Sequence, residues 1–223
     1  MFPENHSVLV IGMPNARLFE FCCYLGATYL KAGENVVFLE SNTSPSVVRQ
    51  QMDEFGAGAA GHEKEGELLI IDAYMQPPNA KDPKAVPLPD LSVLADVFET
   101  MTQAIEKVGG SSVRVIFDSL TPLYIHHDSK AVARFYKDIS TMAKFNGAMT
   151  SVVHKGILDE DQIAAISTLA DGILEVMVDR NFRRFIRIKH LNGVLVKPKW
   201  VPFEFERDQE SEGTFLSWNA GKD

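Results

Sequence analysis

Short runs of consecutive apolar residues alternate along this chain with segments whose apolar positions recur at helical spacing. The runs occupy residues 7–11, 36–39, 68–72, 113–118 and 147–153. Each is short and rich in Val, Ile and Leu, which predicts strands covered on both faces. Between them, Leu18, Phe19, Phe21, Cys22, Leu25 and Leu30 mark one helix, up to a stop at Gly33. Ser44 and Pro45 open a second, reaching Phe55, because serine caps and proline suits a first helical turn. Leu91, Leu94, Phe98, Met101, Ile105 and Val108 mark a third, ended by Gly109-Gly110. Val132, Phe135, Ile139, Met142 and Phe145 mark a fourth over residues 129–145. Strand–helix alternation of this kind predicts an α/β fold with a mostly parallel sheet and helices on both faces.

After Asp171-Gly172 the rhythm changes. Residues 173–178, 182–191 and 200–206 read as consecutive strands joined by short turns, predicting antiparallel strands added at the sheet edge. Residues 73–89, with prolines at 77, 78, 83, 87 and 89, predict a long surface loop without regular structure. No repeat and no shift in composition marks a boundary. One domain over residues 1–223 is expected, with 207–223 as a C-terminal extension.

Composition narrows the function classes. With 22 Lys and Arg against 30 Asp and Glu, the 223-residue chain carries a net charge of −8, and its field opposes a phosphate backbone. Nucleic acid is therefore not the expected partner. No apolar run approaches the roughly 20 residues needed to cross a bilayer, and no charged-then-apolar leader opens the chain. A cytoplasmic protein without membrane contact is expected. The two cysteines, Cys22 and Cys23, are adjacent and lie inside a helical apolar pattern, which predicts packing rather than redox chemistry.

In open parallel sheets the turn after the first strand is the usual phosphate cradle. Here it reads Gly12-Met13-Pro14-Asn15-Ala16-Arg17-Leu18-Phe19. A P-loop needs a second glycine so that backbone N–H groups can wrap the phosphate, then a lysine and a hydroxyl residue. Those positions hold Arg17, Leu18 and Phe19. The two essential side chains have been replaced by bulky apolar ones.

The surroundings of this degenerate motif are specific. The run Val8-Leu-Val-Ile-Gly-Met-Pro14, the run Gly33-Glu-Asn-Val-Val-Phe-Leu39 and the Ser44-Pro45 helix start resemble the KaiC-like branch of the RecA superfamily. Arg114-Val-Ile-Phe-Asp-Ser-Leu120 resembles its Walker B strand, making Asp118 and Ser119 the Walker B-like pair. Residues 167–173, 183–189 and 200–204 resemble its closing segment, so the likeness runs from residue 7 to about 206. The resemblance implies a RecA-like fold. It also implies a pair of water-activating glutamates after the second strand, where this chain has Asn42 and Thr43. The basic pair that one subunit offers its neighbour corresponds to His190 and Asn192. None of these four is a carboxylate base or a permanent cation.

A non-catalytic RecA-like protein follows as the expectation: no ATP hydrolysis, no cofactor, and action by assembly with copies of itself or with a RecA-like partner protein. The resemblance further implies an archaeal-type role in signalling or motility regulation. In such assemblies the P-loop face meets a neighbour, so Met13, Leu18 and Phe19 are expected to form an apolar contact there. The enzymatic alternative is a rearranged Mg-ATP site, with Arg17 in the lysine's place and Glu40 or Asp118 handling metal and water. A third reading is an RNA-engaging scaffold resembling the RecA-like accessory subunits of Elongator.

Three smaller constellations complete the candidates. His126-His127-Asp128 reads as a helix entry capped by Asp128 or Ser129 rather than a metal site. His154-Lys155, at a strand end where RecA-like proteins place a nucleotide sensor, reads as a hydrogen-bonded histidine. The basic segment Arg180, Arg183, Arg184, Arg187, Lys189 and His190, with Lys197 and Lys199, reads as a protected sheet edge or a subunit contact.

Overall fold

The computed structural model describes residues 2–74, 82–110, 112–207 and 214–218. Its centre is strand β1 (Ser7–Gly12), flanked by β6 (Gly147–His154) and β7 (Gly172–Val178), both parallel to it. Outward from β6 lie β5 (Val113–Asp118), β2 (Asn35–Glu40), β3 (Leu68–Asp72) and the two-residue β4 (Val86–Pro87), all parallel. Outward from β7 lie β8 (Arg184–Leu191), β9 (Val201–Arg207) and β10 (Thr214–Trp218), each antiparallel to its neighbour. The RecA-like mostly parallel sheet with antiparallel C-terminal strands is thus present. β7 is parallel to β1, so the antiparallel set begins one strand later than the turn spacing suggests.

The unbroken apolar runs are explained by two cores, one on each face. Alternation sends Leu9 and Ile11 of β1 to one core and Val8 and Val10 to the other. The first is covered by α4 (Leu94–Val108) and α6 (Ser129–Asn146). The second is covered by α1 (Leu18–Lys31) and α2 (Pro45–Glu54), with Ile186 and Phe203 from the antiparallel strands. Cys22 and Cys23 are unpaired and fully buried in this second core, where burial pushes both thiols well above their ordinary range. Both pack within this core, as their place in the apolar pattern predicts.

Local signals set the boundaries. Asp128 caps α6, accepting from the Ala131 N–H at 2.9 Å, as one of the two candidates at that entry should. Ser44 occupies the cap position of α2, yet its hydroxyl meets Ser46 Oγ at 2.8 Å instead of the helix backbone. The strand β6 starts directly where α6 stops: Gly147 has φ +154, and a Cβ there would stand 2.2 Å from the Val113 carbonyl oxygen. Asp171 ties the start of the sheet together, accepting from Ser7 N–H, Ser7 Oγ and Lys144 Nζ at 2.8–2.9 Å. Against the effect of its burial, these donors hold its carboxyl down to about 2.

One expectation needs correction. Residues 73–89 are not wholly irregular, because Val86 and Pro87 pair with Ile71 and Asp72 as β4, with proline tolerated at the sheet's outer edge. Prolines 77 and 78 lie outside the described residues. The extension 207–223 contributes β10, paired with β9. α3 (Ala59–Glu65), the single-turn α5 (Leu123–His126) and α7 (Glu160–Ser167) complete the helices, and neither α3 nor α7 follows from apolar spacing.

Candidate functional site

The turn after β1 is short and closed. Pro14–Ala16 form a single 3-10 turn in which the Ala16 N–H donates to the Met13 carbonyl at 2.9 Å. Pro14 has no N–H to offer, so two of the backbone donors a phosphate would need are absent or engaged. Arg17 follows in the left-handed region, φ 61 and ψ 43, and turns the chain into α1. Its Nε donates to Glu20 Oε1 at 2.8 Å and its guanidinium lies 5.1 Å over the Phe205 ring. The arginine is thereby directed toward β9.

Leu18, at the position of the P-loop lysine, is 2% exposed and packs into the α1-side core. A Cβ on Gly12 would stand 3.0 Å from Leu18 Cδ2 and 3.1 Å from the Val176 carbonyl oxygen. Glycine at 12 leaves room for this close approach, which brings an apolar side chain to the loop. The expected apolar contact with a neighbour therefore loses its central member. Leu18 is consumed inside its own core, Phe19 is half-buried against that core, and only Met13, 44% exposed, faces outward. Asn15 is exposed.

Behind this turn lies a pair of buried carboxylates. Glu40 and Asp118 end β2 and β5 and are register partners on the face covered by α1. Both are essentially inaccessible, and Glu40 Oε2 and Asp118 Oδ2 each lack a hydrogen-bond partner. Glu40 Oε1 accepts from the backbone N–H groups of Asn42 and Thr43 at 2.6 and 3.0 Å. Residues 42 and 43 thus serve through their backbones, as donors that hold Glu40. Burial, and next the neighbouring Asp118, pushes Glu40 well above the ordinary carboxylate range. Burial, and next Glu20, pushes Asp118 up to about 7. Glu40 stands beside Asp118, closer to the Walker B-like residue than its sequence position implies.

A hydroxyl cluster closes the carboxyl end of the sheet. Ser41 Oγ accepts from the Ser119 N–H at 2.9 Å. Ser119 itself is buried, and His154 Nδ1 faces Thr121 Oγ1 at 3.1 Å, with burial lowering the imidazole's pKa. Thr121 also accepts from the His154 N–H at 2.9 Å. His154 is a hydrogen-bonded strand-end residue. Thr121 and Ser41 escaped the sequence reading, and their only signal there was position, directly after β5 and β2. Among the described residues no group of three or more His, Cys, Asp or Glu is placed to hold a metal ion, the His126–Asp128 stretch included.

The basic segment is less free than its composition suggests. Arg183 pairs with Asp179, and Arg187 and Lys189 both reach Glu175. Arg187 also lies 4.4 Å over Trp200. The edge reading fails for the first half of β8, since Arg184–Ile186 pair with Phe203–Val201 of β9. Arg184 Nε is buried without a partner. Beyond β8, Asn192 donates to Asp171 Oδ1 at 3.3 Å and its carbonyl meets His6 Nε2 at 2.9 Å. His190 pairs with Ile173, so both residues of the expected trans-acting pair sit at the amino-terminal end of the parallel strands.

Mg-ATP, the group that the fold implies, does not fit these residues. No lysine follows the turn, two of its backbone donors are absent or engaged, and the adjoining carboxylates are buried beside each other. A strand, a tight turn into α1 and an acidic residue ending β5 nonetheless define the RecA-like class of α/β proteins. Within that class the chain belongs to the KaiC family: the family described as "ATPase: KaiC" matches residues 1–209. The solved KaiC-like protein PH0186 from Pyrococcus horikoshii superposes with a TM-score of 0.70 at 17% identity, covering 97% of this chain and 91% of that one. A UPF0273 protein of Thermotoga maritima is 29% identical over 213 residues, 91% of this chain and 85% of the relative. The UPF0273 protein PH0284 of Pyrococcus horikoshii is 29% identical over 130 residues, 58% of this chain. That match spans about half of the relative's length, 52%. Among the described residues no helix is long and apolar enough to cross a membrane.

Proposed function

We propose that this chain is a non-catalytic member of the KaiC family, a pseudo-ATPase that acts by docking against a second copy or a RecA-like partner protein in a regulatory assembly. The observation that carries the reading is Leu18, buried against Gly12 where hydrolysis requires a lysine. Among the described residues, Glu40 Oε2 and Asp118 Oδ2 have no hydrogen-bond partner. The rearranged-site alternative needs Arg17 to point at them, and its guanidinium is engaged by Glu20 and Phe205. The RNA-scaffold alternative rests on the cations from Arg183 through Lys199, of which Arg183, Arg187 and Lys189 are matched by Asp179 and Glu175.

Support for docking comes from the same end of the sheet. Met13, Val47, Tyr74, Ile125 and Ile157 follow the carboxyl ends of β1, β2, β3, β5 and β6. They are 44%, 40%, 44%, 76% and 60% exposed. Large apolar side chains gathered at one end of a sheet are the usual mark of a protein contact. The deciding experiment is phosphate release from Mg-ATP beside thermal melting with and without the nucleotide, and light scattering for mass. No hydrolysis, no shift and a mass above one chain support the reading. Magnesium-dependent turnover that Arg17→Ala abolishes would replace it with the enzymatic one.

A further inference from the structure

A cavity lies away from the carboxyl end of the sheet, between α1 and β8. The pairing of β8 with β9 stops at Ile186 and Val201, while β8 itself runs on to Leu191 against β7, so the outer side of residues 187–191 has no strand beside it. The gap has a volume of about 480 Å³, within the range of small-molecule sites. Its walls are apolar: Phe21, Tyr24 and Leu25 of α1 face Ile186 and Ile188 of β8, with Leu174 at the floor. Ile188 is 37% exposed although it sits on the core side of its strand, which marks the space as unfilled by the chain's own side chains.

The charges around it have one sign. Among the described residues the charged ones lining the cavity are Arg187, Lys197 and Lys199. Arg187 is held by Glu175 and Trp200, and Lys197 is exposed on the connecting segment at the rim. An apolar slot with ammonium groups at its mouth selects a molecule that is apolar along its length and anionic at one end. We propose that this cavity binds a single-chain amphiphile with an anionic head, of the medium-chain carboxylate type, the alkyl chain lying between α1 and β8 and the carboxylate meeting Lys197. The inference is independent of the nucleotide question, since the cavity shares no residue with the turn after β1.

The test uses the whole chain and calorimetric titration with octanoate, decanoate and dodecanoate below their micelle concentrations. Decanol and decyltrimethylammonium serve as the neutral and cationic comparisons. Affinity is expected to rise about fourfold per added methylene until the slot is full. Decanol should bind several-fold more weakly than decanoate, and the cation should not bind. Ile188→Glu, at a partly exposed position that tolerates charge, should abolish decanoate binding without changing the melting temperature by more than a few degrees. Lys197→Glu should weaken it at least tenfold. Equal binding of the cationic and anionic amphiphiles overturns the proposal. So does decanoate binding that survives Ile188→Glu, or its absence from the native chain at millimolar concentration.

Discussion

Glu40 and Asp118 stand opposite each other on adjacent parallel strands, each essentially inaccessible to water and each with one carboxylate oxygen that no described residue satisfies. Two like charges so placed cannot both be held at low cost, and the pair relieves the conflict by keeping protons. The folded chain therefore binds protons that the unfolded chain, with ordinary carboxyls near 4, releases.

This fixes the sign of a pH dependence. Asp118 is raised to about 7, so its stabilising share is complete below pH about 4 and drains away as pH climbs to about 7. Glu40 is raised in the same direction. The native melting temperature should fall between pH 5 and pH 8, by roughly 2–4 kcal/mol in stability terms. Asp118→Asn keeps the shape, removes the titrating proton and should flatten that slope while raising stability at pH 8. A variant whose pH profile overlays the native one would show that Asp118 is ionised throughout.

Leu18→Ala removes a buried side chain that packs between Gly12 and the α1-side core. The expected loss is about 2–4 kcal/mol, read by urea denaturation. Opening that space should not create nucleotide binding, because the Pro14–Ala16 turn remains. An ATP-dependent rise in melting temperature in this variant would contradict the account of the turn given above.

Arg49 lies on α2, where it pairs with Glu63 of α3 and with Asp82 ahead of β4. With a side chain only 13% exposed, it is the common partner of two carboxylates from separate segments. Arg49→Ala should cost about 3–5 kcal/mol, because both carboxylates would be left without their cation. Hydrogen exchange should locate the loosening at α3 and β4. A loss below about 1 kcal/mol would reduce the network to a surface pairing.

Ile125→Asp and Ile157→Asp place charges on the exposed apolar end of the sheet without touching either core. Both should lower the mass seen by light scattering while leaving the melting temperature within a few degrees. If the native chain is a monomer at every accessible concentration, the self-docking form of the proposal fails and only a different partner remains.

The central strands were legible because each is buried on both faces, which writes an uninterrupted apolar run into the sequence. α3 was not, since among its seven residues only Ala59 is buried and no apolar period exists to be read. α7 did carry a signal that apolar spacing overlooks: Asp159 and Gln162 form a capping box. At the site, the apolar identity of residue 18 was plain, but its direction was not. That depends on the left-handed backbone of Arg17, which turns Leu18 inward and leaves Met13 outside. The meeting of Glu40 with Asp118 is set by strand order, placing β2 beside β5, and strand order is not a local property of either segment.

The contact between Gly12 and Leu18 also governs what single substitutions can reach. Leu18→Lys alone would put an ammonium into a space shaped for a methyl group, three ångströms from where a Gly12 Cβ would sit. The chain would lose folding free energy before it acquired a phosphate ligand, since Pro14, Arg17 and Phe19 would still be in place. Residue 18 is therefore tied to residue 12 by packing, and a change at either has to be matched by a change at the other.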